Sequence, residues 1–180
     1  MSIVQTIIDK YYPEGSELRR IYLIHARKVA DLALDIARRH PELSIDITFV
    51  EEAAMLHDIG IFLTDAPRIH CGGIHPYICH GYLGAELLRG EGLPRHALVS
   101  ERHTGTGLTK EQIVEKGWPL PHVDMRPISI EEQLICYADK FYSKTRHLET
   151  PRTLPEVVES MRRISDESAR IIEGWSHLFA

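Results

Sequence analysis

The stretch DITFVEEAAMLHDIG, residues 46–60, decides how this chain is read. Val50, Ala53, Ala54 and His57 recur at helical spacing, so the segment reads as a helix from about Asp46 to His57 with one apolar face. His57 lies on that face, Asp58 follows it, and Gly60 stands where a helix terminator belongs. Successive residues of a helix point about 100° apart. A His-Asp doublet can therefore flank a single point only at a helix end, which is where this one falls.

Working outward, the neighbouring segments also read as helices. Upstream, Ile3–Tyr12 is weakly amphipathic and is closed by Pro13 and Gly15. Ser16 then has the look of an N-cap for a helix reaching about His40, with Ile21, Ile24, Val29, Leu32 and Ile36 at helical spacing. Downstream, helices are expected at His80–Arg89, at Pro94 to about Thr104-Gly105, and from the Thr109/Gln112 capping box to Lys116. A long helix is expected over Ile130–Lys144 and a last one over Pro155–Trp175. Residues 61–79 and 117–129 read as loops rich in Pro or Gly, and no segment has strand periodicity. The expectation is an all-α bundle forming one domain over 1–180, with its core at about 16–145 and the last helix, about 155–175, packed on it.

Composition narrows the function. With 180 residues, 43% hydrophobic and 26% charged, the chain has ordinary globular proportions, which exclude a disordered or fibrous protein. Lys plus Arg number 21 against 26 Asp plus Glu, a net charge of −5 that argues against a general binder of long nucleic acid. No apolar run has transmembrane length, and the start MSIVQTIIDKYYPEG carries charge too early for a secretory signal. Three Cys are too few for a disulfide scaffold, so the reading is a protein of the reducing cytoplasm. The outlying number is His, at 11.

Several of those His fall on apolar helix faces. His25 is four residues from Ile21 and from Val29, His80 shares a face with Leu83 and Leu87, and His103 is four residues after Val99. Asp139 is four residues after Ile135. Burying a polar group costs several kcal/mol unless it is satisfied. A metal would satisfy this whole set, because imidazole and carboxylate are ligands for Zn, Fe, Mn and Ni.

The order His25, His57-Asp58, Asp139, with HARKVA at 25–30 and CYADK at 136–140, resembles the HD superfamily of metal-dependent phosphohydrolases over about residues 21–145. The resemblance implies a helical bundle in which those four positions bind one metal. HGYLGAELL at 80–88 and ERHTGTGL at 101–108 resemble binuclear members, which makes His80 and His103 ligands of a second metal and Asp58 the bridge. The same stretches are similar to bacterial HD-type diadenosine tetraphosphate hydrolases. ERHTGTGLTKEQ, with the Pro-rich run before EEQLICYADK, resembles a mainly archaeal, uncharacterised HD family more closely still. Two metals about 3.5–4 Å apart can activate a shared water for in-line attack on phosphorus. Asp58, His80 and His103 would then be catalytic, with no Ser or Cys nucleophile.

For substrate contacts, Tyr22 and Lys28 lie about one turn either side of His25, Arg102 and Lys140 adjoin ligands, and Gly105 could offer backbone N–H groups to an anion. Each has a plainer reading: packing for Tyr22, a surface stem for Lys28, a salt bridge for Arg102 or Lys140, a tight turn for Gly105. The run His70, Cys71, His75, Cys79 suggests a lid bringing His75 or His70 to the substrate, and less readily a separate zinc site. His96 shares a face with His103 and reads as either a neighbour of the metal or a hydrogen-bonded core residue. The partner expected is a small phosphorylated molecule, a nucleotide first, with no membrane and with a homodimer left open. Two other functions fit the ligands: a mixed-valence di-iron oxygenase of the same fold, and an HD module that binds without turnover.

Overall fold

The computed structural model describes residues 2–180. Nine helices dominate it: α1 (Ile3–Tyr11), α2 (Glu17–Arg39), α3 (Ile47–Leu56), α4 (His80–Gly90), α5 (Pro94–Arg102), α6 (Lys110–Lys116), α7 (Ile130–Asp139), α8 (Leu154–Arg162) and α9 (Asp166–Phe179). The helix starts follow from their caps. Ser2, Ser16, Asp46, Thr109, Ser129 and Ser165 each accept a backbone N–H from the first turn of the helix they precede.

Helix α2 is the central rod. Its inner face is rich in alanine (Ala26, Ala30, Ala33, Ala37), which lets α3 come close with Ala53 and Ala54 opposite. Together with α7, α8 and α9 these residues other than Ala26 close one apolar cluster, in which Leu134, Ile135 and Ile172 are fully buried. A second cluster joins α1, the N-terminal part of α2, the end of α3, α4 and α5 around Tyr12, Tyr22, Leu56 and Leu88. The metal-competent side chains stand between the two clusters. No helix among the described residues is long and apolar enough to cross a membrane.

Three expectations need correction. Helix α7 ends at Asp139 rather than Lys144: Lys140, Phe141 and Tyr142 donate to carbonyls three residues back, and the chain turns away. The expected last helix is two, because Ser165 takes an extended conformation (φ −166°) and caps α9. Residues 61–79 are an ordered strap of short 3₁₀ turns, with a two-residue antiparallel hairpin, β1 (Asp65–Ala66) and β2 (Cys71–Gly72). The strap is pinned by Asp65 N–H donating to His75 O at 2.8 Å and Gly73 N–H to Thr64 O at 2.9 Å.

Gly60 is not a left-handed terminator either, having φ −86°. It is glycine because of a close approach: a Cβ there would lie 2.4 Å from both Gly84 N and His80 O. A Cβ on Gly84 would meet Ser100 Oγ at 2.5 Å. These two glycines seat the end of α3 directly on α4 and bring His80 beside Asp58.

Candidate metal centre

The structure gathers His25 from α2, His57 and Asp58 from the end of α3, and Asp139 from the end of α7 into one group whose ligand atoms lie within 4.8 Å of one another. Asp58, His80 and His103 form a second such group. Asp58 belongs to both and divides its oxygens between them. Oδ2 is 3.2 Å from His25 Nε2 and 3.1 Å from His57 Nε2. Oδ1 is 3.3 Å from His103 Nε2 and 3.5 Å from His80 Nε2. Asp139 Oδ1 closes the first group, 3.0 Å from His25 and 3.4 Å from His57.

Backbone carbonyls aim three of the rings. Nδ1 of His57 lies 2.6 Å from Ala54 O, Nδ1 of His80 2.6 Å from Tyr77 O, and Nδ1 of His103 2.7 Å from Ser100 O. A carbonyl only accepts, so each partner assigns an N–H to Nδ1 and turns Nε2 toward the centre. The Nε2 atoms of His80 and His103 then face each other at 3.0 Å. Two lone pairs at that distance repel unless a proton or metal ion lies between them.

The residues fit a metal on this ground and on a second one. Six buried side-chain nitrogen and oxygen atoms among the described residues lack a hydrogen-bond partner, and three of them face this centre: His57 Nε2 and both oxygens of Asp58. An unsatisfied buried carboxylate is costly, and metal coordination is one of the standard remedies.

The local charges are strongly coupled. Burial opposes protonation of His57, but Asp58 and Asp139 outweigh it and lift its pKa to about 9. Burial and the neighbouring His103 push His80 down to about 3, and burial also lowers His103. Burial works against ionising the carboxyls, yet Lys144 and His57 beside Asp58, and Lys140 and His25 beside Asp139, hold both well below the usual carboxylate range. Lys144 Nζ is 2.5 Å from Asp58 Oδ2, an ion pair without hydrogen-bond geometry. Lys140 Nζ donates to Asp139 Oδ2 at 2.6 Å and to His103 O at 2.9 Å.

A cleft of about 660 Å³ opens over Asp139, Lys140 and Lys144. Gly105, at φ +60°, lines it together with Lys140. The other expected contacts lie elsewhere. Tyr22 is fully buried, donates its hydroxyl to Met55 O at 2.6 Å and stacks on Tyr12. Lys28 lines a separate, mostly apolar groove with Leu23, Ile24, Met55 and Glu149. Arg102 donates to Glu132 at 2.9 Å, a structural ion pair. His75 is exposed outside the cleft lining and holds the strap through its backbone; His70 is also exposed, in a left-handed turn. Cys71 and Cys79 are buried, and neither joins a metal-competent group among the described residues. His96 bonds Glu52 at 3.1 Å, away from the centre.

Sequence reading missed Lys144, Tyr77, Arg68 and Arg152. Tyr77 stacks on His80 with centroids 4.5 Å apart and lines the cleft. Its placement three residues before His80 was the available signal. Arg68, Lys144 and Arg152 sit in loops without periodicity.

Comparison with known proteins agrees with this geometry. The HD domain family model matches residues 22–143. An uncharacterized protein of Methanocaldococcus jannaschii is 32% identical over 151 residues, 82% of each chain. A tRNA (cytidine(56)-2'-O)-methyltransferase of Thermoplasma volcanium is 33% identical over 93% of this chain, which spans only 44% of that protein. Among solved structures, the HD domain of the L. monocytogenes phosphodiesterase PgpH aligns over 96% of this chain and 94% of its own, with a TM-score of 0.56 at 19% identity. A crystal structure of the same domain in complex with cyclic-di-AMP aligns with a TM-score of 0.55, also at 19% identity, over 95% of this chain and 92% of its own. The His-Asp doublet at a helix end, the flanking His and Asp that converge on it, and a match covering most of the bundle together place this chain in the HD domain family.

Proposed function

We propose that the protein is a metal-dependent phosphohydrolase acting on a small phosphorylated metabolite, a nucleotide first. The observation that carries this reading is the pair of His/Asp groups sharing Asp58, one of which reaches through Asp139 a cleft lined by Arg68, Lys140, Lys144 and Arg152. His25, His57, Asp58 and Asp139 would hold one divalent transition ion (Fe, Mn, Ni or Zn). His80 and His103 would hold a second with Asp58. When bound, such ions lower the pKa of water toward neutrality and offset charge on phosphoryl oxygens.

The chain's own groups supply orientation. Backbone carbonyls hold the rings of His57, His80 and His103 in place, and Lys140 fixes Asp139 through its outer oxygen. Lys144 pairs with Asp58 and also lines the cleft, so its ammonium would stand beside a phosphoryl group bound there. No thiol suits the part of nucleophile: burial pushes Cys71 up to about 11 and Cys136 up to about 12. A phosphodiesterase domain of the same fold, solved with cyclic-di-AMP, supports the nucleotide class. The methyltransferase relatives are proteins more than twice this length, and their activity is not carried over.

The test is elemental analysis of chelator-free protein, with phosphate release and O₂ uptake measured against a nucleotide panel. The wild type should carry up to two transition ions per chain. Asp58→Asn should lose both and His80→Ala only one. Fewer than one ion in the wild type, with no metal-restored activity, would overturn the reading. O₂ uptake without phosphate release would move the assignment to a di-iron oxygenase.

A further inference from the structure

Beyond the metal-competent groups, the cleft has a second charged feature. Four cations line it: Arg68, Lys140, Lys144 and Arg152. The two lysines are committed to Asp139 and Asp58. Neither arginine has a carboxylate within ion-pair distance among the described residues. Arg152 makes one side-chain hydrogen bond, from Nη1 to Ser160 Oγ at 3.2 Å, and its buried Nε–H has no partner. The backbone N–H of Arg152 donates to Phe141 O at 2.8 Å, which fixes residue 152 beside the chain just after Asp139. Arg68 stands opposite, on the strap between β1 and β2. The carboxylates of this lining are Asp139, already occupied, and Asp65 at the exposed rim.

Arginines without a close ion-pair partner that line one cleft are suited to an anion with phosphate geometry, which a guanidinium meets with two parallel N–H donors. The apolar part of the lining, Tyr142, Met161 and Ile164, can seat the uncharged portion of the molecule.

We propose that Arg68 and Arg152 form a second anion subsite, which selects substrates bearing at least one further phosphoryl group besides the one held at the His/Asp centre. The substrate class is thereby narrowed to polyphosphorylated nucleotides. This deepens the phosphohydrolase reading and rests on it for the identity of the first site.

Two measurements test it separately. Calorimetry on chelator-treated full-length protein compares inorganic tripolyphosphate with orthophosphate. Tripolyphosphate should bind about tenfold more tightly or better, as one or two charge-assisted hydrogen bonds imply. Arg68→Ala and Arg152→Ala should each abolish most of that preference, and Lys116→Ala, on the exposed end of α6, should keep it. Equal binding of the two anions, or the same loss in Lys116→Ala, overturns the subsite. Arg68 is exposed, so its variant remains decisive even if Arg152→Ala folds poorly. In the metal-loaded protein, the ratio of kcat/KM for adenosine tetraphosphate to that for bis(p-nitrophenyl) phosphate should fall about tenfold in Arg68→Ala. An unchanged ratio counts against the subsite. Hydrolysis of neither substrate by the wild type overturns the phosphohydrolase reading instead, and calorimetry then decides the subsite alone.

Discussion

Gly60→Ala is the most informative single change outside the ligand set. The new Cβ would lie 2.4 Å from Gly84 N and from His80 O, and both are backbone atoms that cannot rotate aside. Ordinary contact begins near 3.4 Å, so α4 must retreat from the end of α3 by about 1 Å. Overpacking of this kind costs about 1–3 kcal/mol. At roughly 2–4 °C per kcal/mol for a chain of this size, the melting temperature should drop by about 2–12 °C. The same retreat carries His80 away from Asp58, now 3.5 Å distant, whereas metal–ligand distances hold to about ±0.2 Å. Melting curves and elemental analysis should therefore change together, with the ion held by His80 and His103 lost first. Gly90→Ala is the control: it ends the same helix, and a Cβ there meets nothing within 4 Å. If Gly60→Ala melted within about 1 °C of wild type and kept its full metal content, the close-approach account of this glycine would be wrong.

Two further changes probe charge and helix packing. Lys144→Met removes the ammonium 2.5 Å from a fully buried Asp58 and should destabilise chelator-treated protein by about 3–5 kcal/mol, with a much smaller loss after metal loading. Equal drops in melting temperature with and without chelator would refute that view of Lys144. Gly174→Ala lies inside α9 with open space around the new methyl, and thermal melts should show about 0.5–1 kcal/mol of added stability.

The helices and the six His/Asp positions were legible because burial leaves a periodic mark. A polar residue at i±4 from Ile21 and Val29, or four after Ile135, shares the core face, and a charge or imidazole there needs a reason. The surroundings of Tyr22 and Lys28 were not legible for the same geometric cause. Positions i±3 from His25 are rotated about 60° to either side of it. That rotation is enough to put Tyr22 among Tyr12 and Met55 and to send Lys28 to a groove on another face. Lys144 was hidden because it falls where α7 was expected to continue; the helix instead stops at Asp139 and the loop folds the long side chain back onto Asp58. Arg68 and Arg152 depend on how two loops face each other across the cleft, a relation that no local pattern encodes.

The aiming of the rings is set by backbone rather than by residue type. His57, His80 and His103 each pair Nδ1 with the carbonyl three residues earlier, although one closes α3, one opens α4 and one closes α5. Ala54, Tyr77 and Ser100 serve through their carbonyls in these contacts, and Tyr77 adds a ring stacked on His80. What cannot be spared is the cation that the inward nitrogens demand. Asp58 and Asp139 lift the pKa of His57 to about 9 against its burial, and the ammonium of Lys144 spans from a loop to Asp58. Neither reaches the His80–His103 pair in the same way, because those rings resist protonation and face each other at 3.0 Å. The second group therefore lacks a protein cation of its own, and Asp58 is the carboxylate it shares with the first.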